Sequence, residues 1–446
     1  MTDTIFARAT APGRAAVAVV RLSGSRTRSI LNTLGAGATK PRTAALRTLR
    51  GPTGATLDQA LVLWFPEPSS YTGEDCGELH LHGGPAVTDT VLAVLGELGA
   101  RLAEPGEFTR RAFENGRLDL DQAEAIADLV DAETTAQARQ ALAQLGGALG
   151  DRYKGWRRQV TMVLAQLEAA VDFPDEGIPA EVQWRARAPL ESLMRDLDEA
   201  LADGTRGRQI REGYRVAIVG APNAGKSSLF NALVQREAAI VSATPGTTRD
   251  VIEAVLRVEG YSVLLADMAG LRQTAEAVEA EGVRRARAWA LAADLRVWVV
   301  DRAADDEGWE QVVDLIGARD LCLVNKADLA RSPAGARAEA AAGRLGLDVQ
   351  TVSLAGGDVD RVWRRLSQRV TNDLAGADFP ATTRARHGRH LAAARENLAR
   401  ASHMLGEPEL AAEDVRLAAR ALQMVTGEIG VEDILDEVFA TFCIGK

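Results

Sequence analysis

Apolar positions along this chain change their spacing three times. Up to about residue 118 they fall in short runs bounded by Gly and Pro, the texture of strands and turns. Ala15–Leu22 and Leu57–Phe65 are expected strands there, and Val87–Leu98 an expected helix. From about 119 to 210 the spacing becomes helical: Leu118, Leu120, Ala123, Ile126, Ala127 and Leu129 share one face, and Val160, Val163, Leu164, Leu167 and Val171 repeat the pattern. Pro174 and Pro179 interrupt it, and helices resume to Leu201. Between about 213 and 370 short apolar runs alternate with helices; Tyr214–Val219, Val263–Ala266 and Leu321–Val324 are expected buried strands. After Pro380 helices return, over His390–Leu405 and Glu413–Phe442. Ile434, Leu435, Val438, Phe439 and Phe442 form an apolar stripe that predicts core packing. The simplest architecture packs the two helical stretches together with the alternating region inserted between them. Motion in the insert then passes to the helices through two connections.

With 446 residues the chain is too long for one core, so two to four domains are expected. The 46% hydrophobic and 26% charged content is that of a globular protein. A formal net charge of −10 argues against tight nucleic-acid binding by overall charge and leaves room only for a local patch. The basic segment Arg384–His390 is one candidate, read here as a solvated face. Cys76, Cys322 and Cys443 make neither a C-x-x-C pair nor a zinc spacing, so no disulfide framework is expected and Cys322 is a buried strand residue. There is no run of 18 apolar residues and Met1–Ala7 lacks a signal-peptide pattern, which predicts a cytoplasmic protein without a membrane span.

The chemistry concentrates after the first strand of the alternating region. Gly220-Ala221-Pro222-Asn223-Ala224-Gly225-Lys226-Ser227 fits G-x-x-x-x-G-K-[ST], between the strand Tyr214–Val219 and a helix beginning near Ser228. Amide groups at the helix start face a phosphate, Lys226 supplies a point charge, and the Ser227 hydroxyl suits Mg²⁺. Asn325-Lys326-Ala327-Asp328 ends the strand Leu321–Val324; Asp328 can accept from two guanine donors that adenine lacks, which selects GTP. Asp267-Met268-Ala269-Gly270 follows Val263–Ala266 and places a carboxylate near Mg²⁺ and an N–H at the γ-phosphate. Gly246-Thr247-Thr248-Arg249-Asp250 supplies Thr248 as a switch ligand for Mg²⁺. Leu271 stands where Ras-like enzymes carry a water-orienting Gln, so another group must do this; Glu279 and Glu281 follow closely, each either catalytic or a solvated surface carboxylate. Arg249 and Arg272 are finger candidates, and the Asn223 oxygen offers instead a place for a monovalent cation.

The ending Phe442-Cys443-Ile444-Gly445-Lys446, joined to this GTP-binding region, resembles the MnmE (TrmE) family of tRNA uridine modification GTPases. The likeness covers essentially the whole chain. It rests on Asp3-Thr4-Ile5, Ala9–Arg14, Ser70–Asp75, His82-Gly83-Gly84, Glu104–Phe113, Asp119-Leu120 and Gln122–Ala125. The resemblance implies a multidomain α/β and α fold: an N-terminal folate-binding, dimerising α+β domain over 1–118, a helical domain in two parts over 119–210 and 371–446, and an inserted Ras-like P-loop GTPase domain over 213–370. It implies a 5-formyltetrahydrofolate-type cofactor at Arg21, Glu78, Arg117 and Lys446, and Cys443 as a reactive thiol, for which the alternative is a packing residue on the last helix. It implies K⁺ held by Asn223, Ser242, Thr244 and Thr247, Mg²⁺ held by Ser227 and Thr248, and Glu279 as the group that orients water. The implied nucleotide contacts are Asn223, Ala224, Gly225, Lys226, Ser227 and Ser228; Ser242, Ala243, Thr244, Pro245, Gly246, Thr247 and Thr248; Asp267, Met268, Ala269 and Gly270; Asn325, Lys326 and Asp328; and Ser353, Leu354 and Ala355. Met268 replaces the family's usual Thr, and Leu354-Ala355 replaces its A-[KR].

The implied function is a homodimeric, potassium-stimulated GTPase. With the partner MnmG (GidA), in a heterotetramer-type complex, it would install an aminomethyl or carboxymethylaminomethyl group at C5 of the tRNA wobble uridine. Two alternatives stand beside it: a ribosome-assembly GTPase without folate chemistry, and a stand-alone folate transferase with a regulatory GTPase domain.

Overall fold

The computed structural model describes residues 3–172, 179–237, 240–241, 252–268, 277–305, 308–376, 380, 382–427, 435, 438–439, 442 and 444–445. The chain divides into two units: Met1–Asp131, Leu142–Asp198 and Arg389–Lys446 form the first, and Ala132–Ala141 with Glu199–Gly388 the second.

The first unit opens with six strands, β1 (Ile5–Arg8), β2 (Val17–Ser23), β3 (Ala45–Arg50), β4 (Thr56–Phe65), β5 (Cys76–His82) and β6 (Arg101–Leu102), in the sheet order β3-β4-β5-β2-β1-β6. All neighbours are antiparallel except β1 and β6. Alternation divides the faces. Val20 and Leu22 of β2 and Leu79 and Leu81 of β5 join Ile30, Leu31, Val91 and Leu95 of the helices Thr27–Thr33 and Pro85–Glu97 in one core. Arg21 and Glu78, paired across β2 and β5, stand on the opposite face.

The helical part joins segments distant in sequence. Tyr153, Trp156, Val160, Val163 and Leu167 are buried along the helix Ala148–Asp172, and Ala411, Val415, Ala418 and Leu422 along the helix Pro408–Thr426. Arg416 on the second reaches Glu168 on the first at 3.0 Å. Leu435, Phe439 and Phe442 pack with Leu120 and Ala123, as the apolar stripe predicts. The helix itself departs from expectation: it begins at Pro408 and ends at Gly427, whose φ of +77° suits a glycine stop, rather than running to Phe442.

The interruption expected at Pro174 and Pro179 falls between the helices Ala148–Asp172 and Pro179–Glu212, and Pro179 takes the first helical position, where the missing N–H goes unused. Two other expectations are corrected. The second of these helices runs to Glu212, past the expected stop at Leu201. Its polar last turns are held from outside: Gln140 and Gln137 donate to the Gly207 and Arg211 carbonyls at 3.0 Å, and Arg211 Nε donates to the Thr383 carbonyl at 3.0 Å. Secondly, Arg384–His390 is not a solvated face. It starts the helix Ala385–His403, with Arg386 and His387 buried and 3.1 Å apart.

The second unit holds strands β7 (Tyr214–Gly220), β8 (Ile240–Val241), β9 (Ile252–Val258), β10 (Tyr261–Asp267), β11 (Leu295–Asp301), β12 (Leu321–Asn325) and β13 (Asp348–Thr351), ordered β13-β12-β11-β7-β10-β9-β8. β13 through β10 run parallel, β9 pairs antiparallel with β10, and β8 pairs antiparallel with β9. Both faces of the parallel strands are covered, which explains their unbroken apolar runs. Val216 and Ile218 pack toward the helices Lys226–Glu237 and Val359–Leu374. Ala217 and Val219 pack toward the helices Ala277–Ala292 and Pro333–Arg344. The C-terminal ends of β7, β10 and β12 therefore open on one edge, the place where such sheets bind ligands.

Candidate nucleotide-binding site

β7 ends in a loop that only its own residue types allow. Gly220 has φ +151°, and a Cβ there would lie 2.2 Å from the Val299 carbonyl oxygen. Gly225 has φ +105°, and a Cβ there would lie 2.3 Å from Asn325 Nδ2. Asn223 is left-handed at φ 63° and exposed at the loop, and among the described residues its side chain makes no hydrogen bond. A side-chain carbonyl so placed suits a weakly bound monovalent cation. Lys226 opens the following helix and its Nζ donates to the Ala221 carbonyl at 2.8 Å, so the cation lies folded over the loop it would share with a phosphate.

Ser227 Oγ donates to Asp267 Oδ2 at 2.7 Å. Asp267, at the end of β10, is 2% exposed, and its Oδ1 has no hydrogen-bond partner among the described residues. A hydroxyl beside a buried carboxylate with one unsatisfied oxygen is a hard, oxygen-rich corner, the donor set Mg²⁺ prefers. Met268, beside Asp267, is fully buried in the core with Ala217 and Val219.

The far side of the candidate site is built by β12. Asn325 is 4% exposed; its Nδ2 donates to the Ala224 carbonyl at 2.9 Å, and its Oδ1 accepts from Leu354 N at 3.2 Å. One side chain thus ties the phosphate loop to the Ser353–Ala355 loop. Lys326 is left-handed at φ 62° and pairs with Asp301 at 2.6 Å. Asp328 is exposed, and Ser353 Oγ donates to its Oδ1 at 2.5 Å. That bond, then its own backbone N–H and the charge of Lys326, hold the Asp328 carboxyl below its ordinary range, so it is ionised and able to accept from a purine. Leu354 packs against the core and Ala355 is exposed; the bulk of Leu354 is turned inward. Cys322, in the middle of β12, is fully buried, and burial with the nearby Glu339 pushes its thiol up to about 12.

Several expected contacts fall outside the described residues: Ser242, Ala243, Thr244, Pro245, Gly246, Thr247, Thr248, Ala269, Gly270, Cys443 and Lys446, together with Arg249, Leu271 and Arg272. The backbone of Glu279 lies in the helix Ala277–Ala292, and its side chain, like that of Glu281, is outside them too.

The first unit carries a second polar site. Arg21 Nε and Nη2 donate to Glu78 Oε1 at 3.1 and 3.0 Å, and His80 Nε2 lies 3.2 Å from Glu78 Oε2. The Arg21 guanidinium sits 5.2 and 5.8 Å from the ring centroids of Tyr71 and Phe108. Burial raises the Tyr71 phenol, outweighing its bond to Thr109 and the charge of Arg21. A carboxylate acceptor, a cation and two aromatic rings fit a planar heterocycle bearing N–H donors. Arg117 is exposed with its stem beside Gly73, and makes no hydrogen bond or ion pair with Arg21 or Glu78. The chain end approaches the same sheet: Ile444 bridges to Pro105, and a Cβ at Gly445 would lie 2.4 Å from the Arg8 carbonyl oxygen.

Sequence reasoning missed the charged knot beneath this site. Arg111 is 1% exposed and meets Asp3 at 2.9 Å, Glu74 at 3.1 Å and Glu107 at 2.9 Å. Ser23 Oγ donates to Glu74 Oε2 and lies within hydrogen-bond distance of Thr72 Oγ1, both at 2.7 Å. Burial pushes Glu107 up, but hydrogen bonds from Arg101, the Glu104 backbone and Arg111 outweigh it and hold the carboxyl low. The available signal was the density of charges in Glu104–Arg111.

A family model described as the GTP-binding protein TrmE N-terminus matches residues 4–117, and one described as the MnmE helical domain matches residues 120–443. The chain is 57% identical over 450 residues to the tRNA modification GTPase MnmE of Phenylobacterium zucineum, covering all of both chains. It is 56% identical over 453 residues to that of Caulobacter vibrioides, again covering all of both. The solved G domain of the T. maritima FeoB iron transporter is 24% identical, over 36% of this chain and 99% of its own, at a TM-score of 0.27. On the full-length relatives and the two family models, the chain belongs to the MnmE (TrmE) family of tRNA modification GTPases.

Proposed function

We propose that this chain is a potassium-stimulated GTPase that works with MnmG (GidA) as a homodimer-based heterotetramer-type complex. It would modify C5 of the wobble uridine of certain tRNAs, using a formyltetrahydrofolate-type one-carbon unit, in the cytoplasm. The domains that carry this are 1–118 for folate and dimerisation, 119–210 with 371–446 for the helical body, and 213–370 for GTP. The observation that carries the reading is the Asn325–Asp328 corner: an ionised acceptor for guanine, tied by Asn325 to the phosphate loop. Full-length kinship with tRNA modification GTPases favours this over a ribosome-assembly switch.

In this reading Asp328 selects guanine, and Lys226 leaves the Ala221 carbonyl for the β- and γ-phosphates. Ser227 and Thr248 would hold Mg²⁺, beside Asp267. Asn223, Ser242, Thr244 and Thr247 would hold K⁺. When bound, the two ions supply positive charge where negative charge develops on the phosphates. Glu279 orients the attacking water in place of the missing Gln. Arg21, Glu78, Arg117 and Lys446 hold the folate, with Cys443 near its one-carbon group. No described helix is long and apolar enough to cross a membrane.

The test is GTP turnover in K⁺ and in Na⁺ at equal ionic strength, with Glu279→Ala alongside. The reading expects strong stimulation by K⁺ and loss of turnover, with nucleotide binding retained, in the variant. Equal rates in the two salts would remove the potassium mechanism and return Arg249 and Arg272 as candidates.

A further inference from the structure

Charge is distributed very unevenly along this chain. Residues 4–57 contain nine Lys and Arg and no Asp or Glu, while the rest carries 43 basic and 62 acidic side chains. A stretch of +9 therefore sits in a molecule whose remainder is −19. Of the nine, Arg21 pairs with Glu78. Arg28, Lys40, Arg42, Arg47 and Arg50 have no carboxylate partner among the described residues.

Arg47 and Arg50 lie on the edge strand β3, Lys40 and Arg42 in the loop before it, and Arg28 on the helix Thr27–Thr33, bonded to that same loop. Arg28, on the helix Thr27–Thr33, donates to the Thr39 carbonyl at 3.3 Å and lies 4.0 Å from the centroid of the Trp64 ring. Arg47, on β3, donates to the adjacent Ala38 carbonyl at 3.2 Å. Lys40 follows in the same loop and is exposed. Arg42 donates to the Ser69 carbonyl and sits over the Phe65 ring, and Arg50 donates to the Gly54 carbonyl at 3.2 Å. Backbone carbonyls and ring faces fix these guanidinium groups without cancelling their charge. Two exposed arginines of the helical part are, by contrast, neutralised: Arg400 meets Glu396 and Asp414, and Arg416 meets Glu168 and Glu413.

We infer that the β3 edge and the loop before it, through Arg28, Lys40, Arg42, Arg47 and Arg50, bind the phosphate backbone of the tRNA. Pre-positioned, uncompensated cations at one edge match a polyanion, and they reconcile RNA binding with a net charge of −10. The inference rests on the reading of the chain as tRNA-acting. The competing role for such residues is to stop edge strands from pairing between molecules.

The test is binding of a labelled tRNA transcript to the full-length chain at several KCl concentrations. It compares wild type, the combined Lys40→Gln, Arg47→Gln, Arg50→Gln variant, and a combined Arg400→Gln, Arg416→Gln control. The patch variant is expected to bind about tenfold more weakly near physiological salt, and the slope of log affinity against log salt to fall by about two. The control should match wild type, and GTP turnover without RNA should be unchanged in both. Should the patch variant misfold by circular dichroism, Lys40→Gln alone, in an exposed loop, should lower the slope by about one. Affinity and slope equal to wild type would overturn the patch while leaving the tRNA reading intact, even if the variant aggregates more readily. A wild-type chain that binds no tRNA would overturn both.

Discussion

Replacing Asn325 by Ala should damage the nucleotide site more than any loss of direct ligand contact would. Its side chain makes two hydrogen bonds, a buried one to the Ala224 carbonyl at 2.9 Å and a part-buried one from the Leu354 amide at 3.2 Å. Truncation leaves a buried carbonyl and a part-buried N–H without partners, at about 1–3 kcal/mol each, the N–H at the lower end. It also removes the atom that fills the space beside Gly225. Allowing for relaxation, GTP binding should weaken by roughly 2–4 kcal/mol, or about 30- to 1,000-fold. Asn325→Asp separates the two bonds: it keeps an acceptor for Leu354 but turns an oxygen toward the Ala224 carbonyl, so it should be no better than Ala. The assay is titration with a fluorescent GTP analogue, with amide hydrogen exchange at Leu354 as the local readout. Affinity within about threefold of wild type for Asn325→Ala, with Leu354 still protected, would refute the claim that this side chain holds the two loops together.

Other outcomes follow from the same geometry. Arg111→Met leaves Asp3, Glu74 and Glu107 without their shared cation and should cost about 3–5 kcal/mol in urea unfolding of the first unit. Because Glu107 is held low in the folded chain, its contribution is present above its unfolded value of 4.5 and lost as pH falls through the folded value, so the gap between variant and wild type should narrow in acid. Gly260→Val should loosen the β9–β10 turn, since Gly260 has φ +83°, a Cβ would lie 2.7 Å from Thr135 Oγ1, and its carbonyl accepts from Ala136 N at 3.1 Å; faster hydrogen exchange at Ala136 is the readout. Cys322, raised to about 12 against an ordinary 9.0, should resist iodoacetamide in the native chain at mildly alkaline pH and react in urea. Its share of stability is full below the unfolded value and falls as pH rises from there toward 12, so peptide mapping that finds Cys322 labelled in the folded chain would contradict its burial.

The elements legible in the sequence were those whose cause is local. Unbroken apolar runs announced β7, β10 and β12, because strands covered on both faces need no alternation. The glycines at 220 and 225 announced the loop, because a Cβ would lie 2.2 Å from the Val299 carbonyl oxygen at the first and 2.3 Å from Asn325 Nδ2 at the second. What escaped depended on partners far along the chain. The helix Pro179–Glu212 continues past its apolar pattern because Gln137 and Gln140 grip its end. Arg384–His390 looks like a charged surface but is buried through Arg386 and His387. The role of Asn325 as a strut depends on a residue 101 positions earlier and one 29 later, which a four-residue motif does not reveal.

The most direct test of the account joins both sites in one reaction. The purified chain would be combined with MnmG, a reduced folate carrying a one-carbon unit, GTP, K⁺ and an unmodified tRNA transcript, and the nucleosides analysed by mass spectrometry. The account predicts a wobble uridine carrying an aminomethyl-type group at C5, formed by wild type and lost with Lys226→Ala. Unmodified uridine from a wild-type chain that hydrolyses GTP at full rate would contradict it.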